Sequence, residues 1–277
     1  MAARRDPGQS PALPGDYHVH TTYSDGGGSV EACVAHAVRL GLPEIGIADH
    51  LSGVEHTAWD AASIRFDRLE EYVNEVLAVA AGHDDIRVLL GVEADFVTEH
   101  EAGFAELLSG YPFDYVVGGV HVLGGFDFDD PAKRGDPRWS DPDALFVAYY
   151  EAVRRAAEFG RFAFIAHLDY IGLWGHRPGP AVDAGIDAAL DAMAASGTAI
   201  ELNTDRVSDP VGVMYPSPDT LRRAGDRGIP LVVSSDAHAA EHVGRLWDEA
   251  IALARQAGYR KTLRLSDRAL VPLPPGA

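Results

Sequence analysis

The chain has 277 residues, with 42 acidic against 23 basic side chains and a formal net charge of −19. Such a charge repels phosphate backbones and argues against a partner of long nucleic acid, while a hydrophobic share of 47% excludes a disordered chain. One cysteine, Cys33, excludes a disulfide framework or a Cys-rich zinc module, and no run of about 18 apolar residues is present to span a membrane.

Residues 1–14 hold two arginines but no apolar stretch of a secretory signal. They read as a flexible tail before a single domain over 15–277, with the cytoplasm as the default location. The first strand is expected at about Asp16–His20 and ends in His18-Val19-His20. Asp25 then precedes a glycine in a turn. Ser29 can cap a helix that turns Val30, Cys33, Val34, Ala37 and Val38 inward and stops at Gly41. The second strand, Glu44–Asp49, runs into His50. A helix over Phe66–Ala81 is expected to bury Leu69, Val73, Val76, Leu77 and Ala80. The third strand, Arg87–Glu93, ends in Glu93, and the fourth, Asp114–His121, in His121. Asp95, Glu99 and Glu101 read as a solvated charge run.

Gly124–Trp139 is polar, punctuated by glycine and proline, and reads as a functional loop. Asp141-Pro142 opens a helix whose apolar face includes Leu145, Ala148, Tyr149, Ala152, Val153, Ala156 and Phe159, closed by Gly160. The fifth strand, Phe162–His167, ends in His167, and the sixth is Thr198–Asn203. Ser217-Pro218 opens a helix ending near Gly228. The seventh strand, Pro230–Asp236, ends in Asp236-Ala237-His238, and a last helix covers Val243–Ala257.

The strands are continuous apolar runs, as parallel strands covered on both faces require. Alternation with helices predicts a parallel α/β architecture, and a barrel suits the length. In a barrel the C-terminal strand ends meet at one mouth. Histidines and carboxylates at six of those ends therefore predict a site for more than one divalent ion. His176 and His242, just after strands five and seven, are candidates to line the mouth. Trp174 suits either a pocket wall or packing.

The motifs His18-Val-His20-Thr-Thr-Tyr-Ser-Asp25-Gly, Ile47-Ala-Asp-His50, Gly91-Val-Glu93, Gly119-Val-His121, Ile165-Ala-His167 and Ser235-Asp236-Ala-His238 resemble those of the polymerase and histidinol phosphatase family. Tyr111–His121, Gly175-His-Arg177-Pro, Glu201-Leu-Asn203-Thr and Tyr215-Pro-Ser-Pro218 extend the likeness to its monofunctional histidinol-phosphate phosphatases. The resemblance implies a distorted (β/α)7 barrel, an α/β fold with two or three divalent ions (zinc, manganese or iron) at its C-terminal mouth. It implies that His18, His20, Glu93 and Asp236 hold one ion, that Glu93 bridges to a second held by His121 and His167, and that Asp25, His50 and His238 hold a third. It also implies hydrolysis of a small phosphate monoester, L-histidinol phosphate, with Asn203, His176, Arg177 and Arg206 toward the substrate. Two departures stand out. Asp25 stands near the place where many of these phosphatases have a histidine, and Ser208 stands where their phosphate-binding arginine is expected, with Arg206 offset.

Clustered ions activate water and clamp an in-line displacement at phosphorus. Glu93 is expected to hold the ion pair together, and Asp236 or His238 to assist proton transfer to the leaving alcohol. Three alternatives stay open. A metal amidohydrolase of the kind that bridges its ions with a modified lysine is disfavoured, since neither Lys133 nor Lys261 ends a predicted strand. A member of the same family acting on nucleotides or another small ester is the second. A non-catalytic barrel is the third, and it is expected to lack ligands that this chain keeps.

Overall fold

The structure is a computed structural model that describes residues 13–52, 62–98, 101–205 and 211–274, with the backbone alone for 101–103. Its parallel strands form one circuit. β1 (Gly15–Asp16) pairs with β2 (Glu44–Ile47), and β2 with β4 (Arg87–Leu90). β3 (His50–Leu51) continues β2, and β5 (Glu93–Asp95) continues β4, with His50 opposite Glu93. From β5 the ladder passes to β6 (Val117–Gly119), β9 (Phe164–Ile165), β10 (Ala199–Asn203) and β11 (Leu231–Ser234). It returns to the first pass through a parallel bridge between Val19 and Ala237, where Ala237 N donates to His18 O at 3.1 Å and His20 N to Ala237 O at 2.9 Å. The order of strands is the order of the sequence, as in a βα barrel.

The helices lie outside this circuit. α1 (Val30–Leu40) starts at Ser29, whose side chain accepts from Ala32 N, and ends at Gly41 in the left-handed region at φ 70°. α2 (Leu69–Gly82) buries Leu69, Tyr72, Val73 and Val76, but Leu77, expected inward, is 44% exposed. The helix's own register makes Tyr72 the buried neighbour instead. α3 (Glu101–Ser109), α5 (Asp183–Ser196) and the antiparallel hairpin of β12 (Lys261–Leu263) with β13 (Leu270–Pro272) were not anticipated from the sequence. α4 (Pro142–Phe159) is capped by Asp141 and closed by Gly160 as expected, although Ala148 is exposed and Phe146 and Tyr150 are buried. α6 (Pro218–Asp226) starts at Ser217, and α7 (Trp247–Gln256) is shorter than the sequence pattern suggested. Gly124–Trp139 is partly ordered by a hairpin of β7 (Val122–Leu123) with β8 (Phe126–Asp127). Leu13, assigned to the tail from the sequence, is buried in the main core.

Apolar packing splits into two clusters. The larger lies between strands and helices. The smaller one contains Tyr17, Leu89, Tyr115, Val117, Phe164, Ala199 and Val232, together with Leu263 and Leu265 from the C-terminal segment. That segment is tied to the N-terminal strand ends: Thr262 Oγ1 donates to Leu231 O at 3.0 Å, and Leu265 N to Tyr17 Oη at 3.4 Å. The inner cluster therefore fills the barrel below the mouth, and Phe164 packs edge-on against His18 at 6.3 Å.

Tyr115 is the keystone of that filling. Its hydroxyl donates to Tyr17 O at 2.7 Å, and its ring needs two glycines beside it. A Cβ on Gly91 would lie 2.3 Å from the Tyr115 ring, and one on Gly46 would lie 2.1 Å from its hydroxyl. Gly91→Ala is expected to destabilise the fold by about 1–3 kcal/mol through overpacking. At this chain length that is a fall in Tm of about 2–4 °C per kcal/mol. A thermal melt with an unchanged midpoint would show that the ring is free to move aside.

Candidate metal centre

His18 and His20 stand two residues apart just past β1, so both side chains leave the strand on one side. His50, Glu93, His121, His167, Asp236 and His238 occupy the same end of the other passes. Backbone strain aims two of them: His167 at φ 28° and Asp236 at φ 50° are non-glycine residues with positive φ.

Asp25 reaches the same place by a built turn. Asp49 accepts Thr21 N and Thr21 Oγ1, both at 2.7 Å, and Ser24 Oγ at 2.5 Å. Gly26 is required because a Cβ there would lie 2.5 Å from the His20 carbonyl. Gly27 N donates to His238 O at 2.8 Å, tying the turn to the last strand end. Asp49 is thus a clamp on the loop rather than part of the cluster.

The ligand-capable atoms fall into three groups, each with its atoms within 4.8 Å of one another: His18, His20 and Asp236; Glu93, His121 and His167; and His20, Asp25, His50 and His238. Together these contain every residue expected to bind metal. Glu93 stands between them. Its Oε1 is 3.1 Å from His167 Nε2 and 3.8 Å from His121 Nε2. Its Oε2 is 3.1 Å from His18 Nε2 and 2.7 Å from His50 Nδ1. Each oxygen faces a different set of imidazoles.

The donor chemistry fits cations. His18 Nε2, both ring nitrogens of His20 and Glu93 Oε2 are buried and make no hydrogen bond of good geometry. His121 Nε2 and His167 Nε2 face each other at 3.3 Å. The His121 Nδ1 contacts Asp95 Oδ1 at 2.5 Å. A carboxylate only accepts, so the proton sits on Nδ1 and the Nε2 lone pair points inward. Asp95 is therefore not the solvated charge predicted from sequence. It is buried two residues beyond Glu93, on the same face of the strand.

Charge in the cluster is strongly coupled. Burial opposes a charge on His18, but Asp236, Glu201 and Glu93 outweigh it and hold the imidazole well above the usual range. Burial and the neighbouring imidazoles of His50 and His238 push His20 down to about 3. Burial also opposes charge on His50 and His238, yet Glu93 lifts His50 to about 9, while Asp25 and Asp236 lift His238 to about 10. Burial works against ionising Glu93 and Asp236, but the surrounding imidazoles hold both carboxyls well below their ordinary values.

A cavity of about 320 Å³ opens onto the groups and is lined by Asp25, His50, His121, His167, Asp236 and His238 with Tyr170, Asn203, Asp205 and Tyr215. Asn203, expected toward the substrate, lines this cavity but spends its side chain on the protein. Its Nδ2 donates to Glu201 Oε2 and Asp236 Oδ2, both at 3.0 Å, and its Oδ1 accepts Asp205 N. His176 and Arg177 line an adjoining cavity of about 230 Å³ that shares Tyr215. There His176 stacks on Trp139 at 4.6 Å, and Arg177 is exposed. His242 contacts Arg245 at 3.2 Å and does not line either cavity. Trp174 donates to Phe128 O at 2.8 Å and packs rather than walls. Arg206 lies outside the described residues.

Comparison with known proteins gives a consistent picture. The PHP domain family matches residues 16–205, and a family described as PHP-associated matches residues 220–255. The "Probable histidinol-phosphatase" of Deinococcus radiodurans is 35% identical over 264 residues, 93% of this chain and 98% of that protein. The DNA polymerase/3'-5' exonuclease PolX of Bacillus subtilis is 23% identical over 234 residues, 83% of this chain but 35% of its own length. Histidinol phosphate phosphatase from Lactococcus lactis, solved with zinc, L-histidinol and phosphate, is similar in fold at a TM-score of 0.77 and 22% identity, covering 94% of this chain and 100% of that one.

Proposed function

The chain belongs to the PHP domain family, and from that premise we propose that it is a metal-dependent phosphomonoesterase that hydrolyses L-histidinol phosphate to L-histidinol and phosphate. The observation that carries this reading is Glu93, whose two oxygens face separate imidazole sets beneath a cavity of about 320 Å³. The near-complete alignment with the Deinococcus radiodurans protein supports the substrate.

We assign His18, His20 and Asp236 with Glu93 to one ion, Glu93 with His121 and His167 to a second, and Asp25, His50 and His238 to a third. When bound, divalent ions supply a water nucleophile at neutral pH and neutralise the phosphoryl oxygens. Zinc is the ion proposed first, since the Lactococcus lactis protein was solved with it, with manganese and iron as the alternatives. The protein's own part is positional and acid–base. Glu93 keeps the groups together. Asp236 Oδ1 faces His20 at 3.0 Å while Asn203 holds Oδ2, so Asp236 is placed to take up the nucleophile's proton and return it to the leaving alcohol. His238, whose Nδ1 is held at 3.0 Å by the Asp236 carbonyl, is the second carrier when only two ions are bound and its Nε2 is free. Arg177 and Arg206 are the proposed phosphate grips, with Arg177 reaching from the adjoining cavity and His176 beside it.

The net charge of −19 opposes an anionic ligand only globally. Two or three divalent ions would bring about four to six positive charges against three carboxylates in the proposed ligand set. Among the described residues no helix is long and apolar enough to cross a membrane.

The test is a phosphate-release panel. Protein stripped of metal and reloaded with zinc, manganese or iron is offered L-histidinol phosphate beside nucleotides and other monoesters. Release is expected to be fastest from L-histidinol phosphate. Release from other esters alone keeps the reaction and rejects the substrate, and no release from any of them removes the reading.

A further inference from the structure

Glu201 is a buried carboxylate that neither the ligand set nor the reaction uses. It sits in the middle of β10, opposite Val232. Side chains along a strand alternate, so Ala199, Glu201 and Asn203 share one face. Ala199 belongs to the inner cluster and Ile200 and Leu202 to the outer one, which puts Glu201 inside the barrel. It has no solvent exposure. A charge there is costly unless fully hydrogen-bonded, and an apolar side chain would serve packing better.

Its hydrogen bonds show what it is for. Oε1 lies 2.8 Å from His18 Nδ1. Oε2 accepts the backbone N–H of His167 at 2.7 Å and Asn203 Nδ2 at 3.0 Å. Asn203 in turn reaches Asp236. One carboxylate thus touches His18 and, through Asn203, Asp236 of one group, and His167 of another. All three of its partners act as donors. We propose that Glu201 is a positioning residue that locks His18 in the tautomer with Nδ1 protonated and ties the His18 and His167 groups into one preorganised metal centre. This rests on reading those groups as metal ligands and is independent of the substrate.

The chemistry of a glutamine shows why charge and not shape matters. An amide has one accepting and one donating end. If its oxygen serves His167 N and Asn203, its NH2 faces His18 Nδ1. That nitrogen must then accept, the proton moves to Nε2, and His18 turns from a ligand into a donor toward Glu93. The turned-over amide would set its NH2 against two donors, His167 N–H and Asn203 Nδ2, so the first orientation is the one expected. The His18 group is therefore spoiled at constant volume.

The experiment uses zinc alone, without substrate, so its outcome is separate from that of the phosphate panel. Zinc affinity is read by competition with a chromophoric chelator, and zinc content by elemental analysis. Glu201→Gln is expected to weaken zinc about 10–100-fold, the usual cost of losing a partner behind a metal-bound histidine. In the zinc-loaded wild type, nitrogen-15 spectra should show a slowly exchanging Nδ1 proton on His18, assigned by its loss in His18→Ala. Glu201→Gln should lack it. Zinc affinity within threefold of wild type overturns the proposal, and so does weaker zinc with the Nδ1 proton retained. Should Glu201→Gln fail to fold, the wild-type spectrum still decides: an Nε2-protonated His18 refutes the assignment.

Discussion

Glu93→Gln is expected to lower kcat by about 10³-fold or more and to leave the protein with less bound metal. Glutamine keeps the volume, so the fold should survive, and circular dichroism should match wild type. What changes is the charge and the number of accepting atoms. In the wild type Oε1 serves His167 and His121 while Oε2 serves His18 and His50. An amide can present an acceptor to only one of those sets and turns an NH2 toward the other. The loss removes a negative charge shared by neighbouring groups, where ions are worth several kcal/mol of transition-state stabilisation; about 4 kcal/mol corresponds to the stated factor. Saturating-substrate kinetics and elemental analysis check both halves. Turnover within tenfold of wild type, with full metal content, would refute the bridging role and the function built on it.

The reason this site is legible in the sequence lies in the barrel. Parallel strands buried on both faces read as continuous apolar runs, and a polar, ligand-type residue ending such a run must lie at the mouth. His18, His20, His50, Glu93, His121, His167 and Asp236 all obey that rule. The carboxylates behind them do not end a run, and they were missed. Asp95 sits beside acidic neighbours and looked solvated; its spacing of two from Glu93 was the usable signal. Glu201 lies within Ala199–Asn203, a strand buried throughout. A charge inside such a run must be paired, and that alone pointed to a role. Loop paths carry no periodicity, so the sequence does not show that Arg177 lies in the adjoining cavity beside Trp139-stacked His176. α5 escaped because its alanine-rich sequence has a weak apolar stripe and no side-chain cap. The C-terminal hairpin has strands of three residues, too short for a pattern.

Removing metal is expected to abolish activity, and the pH at which metal leaves follows from the same electrostatics. Imidazole binds an ion only when neutral, so protons and metal compete for each ring. In the metal-free protein burial disfavours the charged forms, but Glu93 lifts His50 to about 9, and Asp25 and Asp236 lift His238 to about 10. Both rings then carry a proton at neutral pH that metal must displace. Raised values mean that the competing proton is fully bound below pH 7 and is lost as pH rises through about 9 and 10. Metal affinity should therefore rise by roughly tenfold per pH unit for each proton displaced up to about pH 9, and level off above about 10. His20, pushed down to about 3, is already neutral and adds nothing to that slope. A chelator should strip the protein faster at pH 6 than at pH 8. Stripping should lower Tm, since an ion that binds only the folded chain adds about 2.7 kcal/mol at a hundred times its Kd. Reloading zinc should restore both Tm and phosphate release. Zinc affinity that is flat between pH 6 and pH 9 would show that His50 and His238 do not compete as protonated rings in that range.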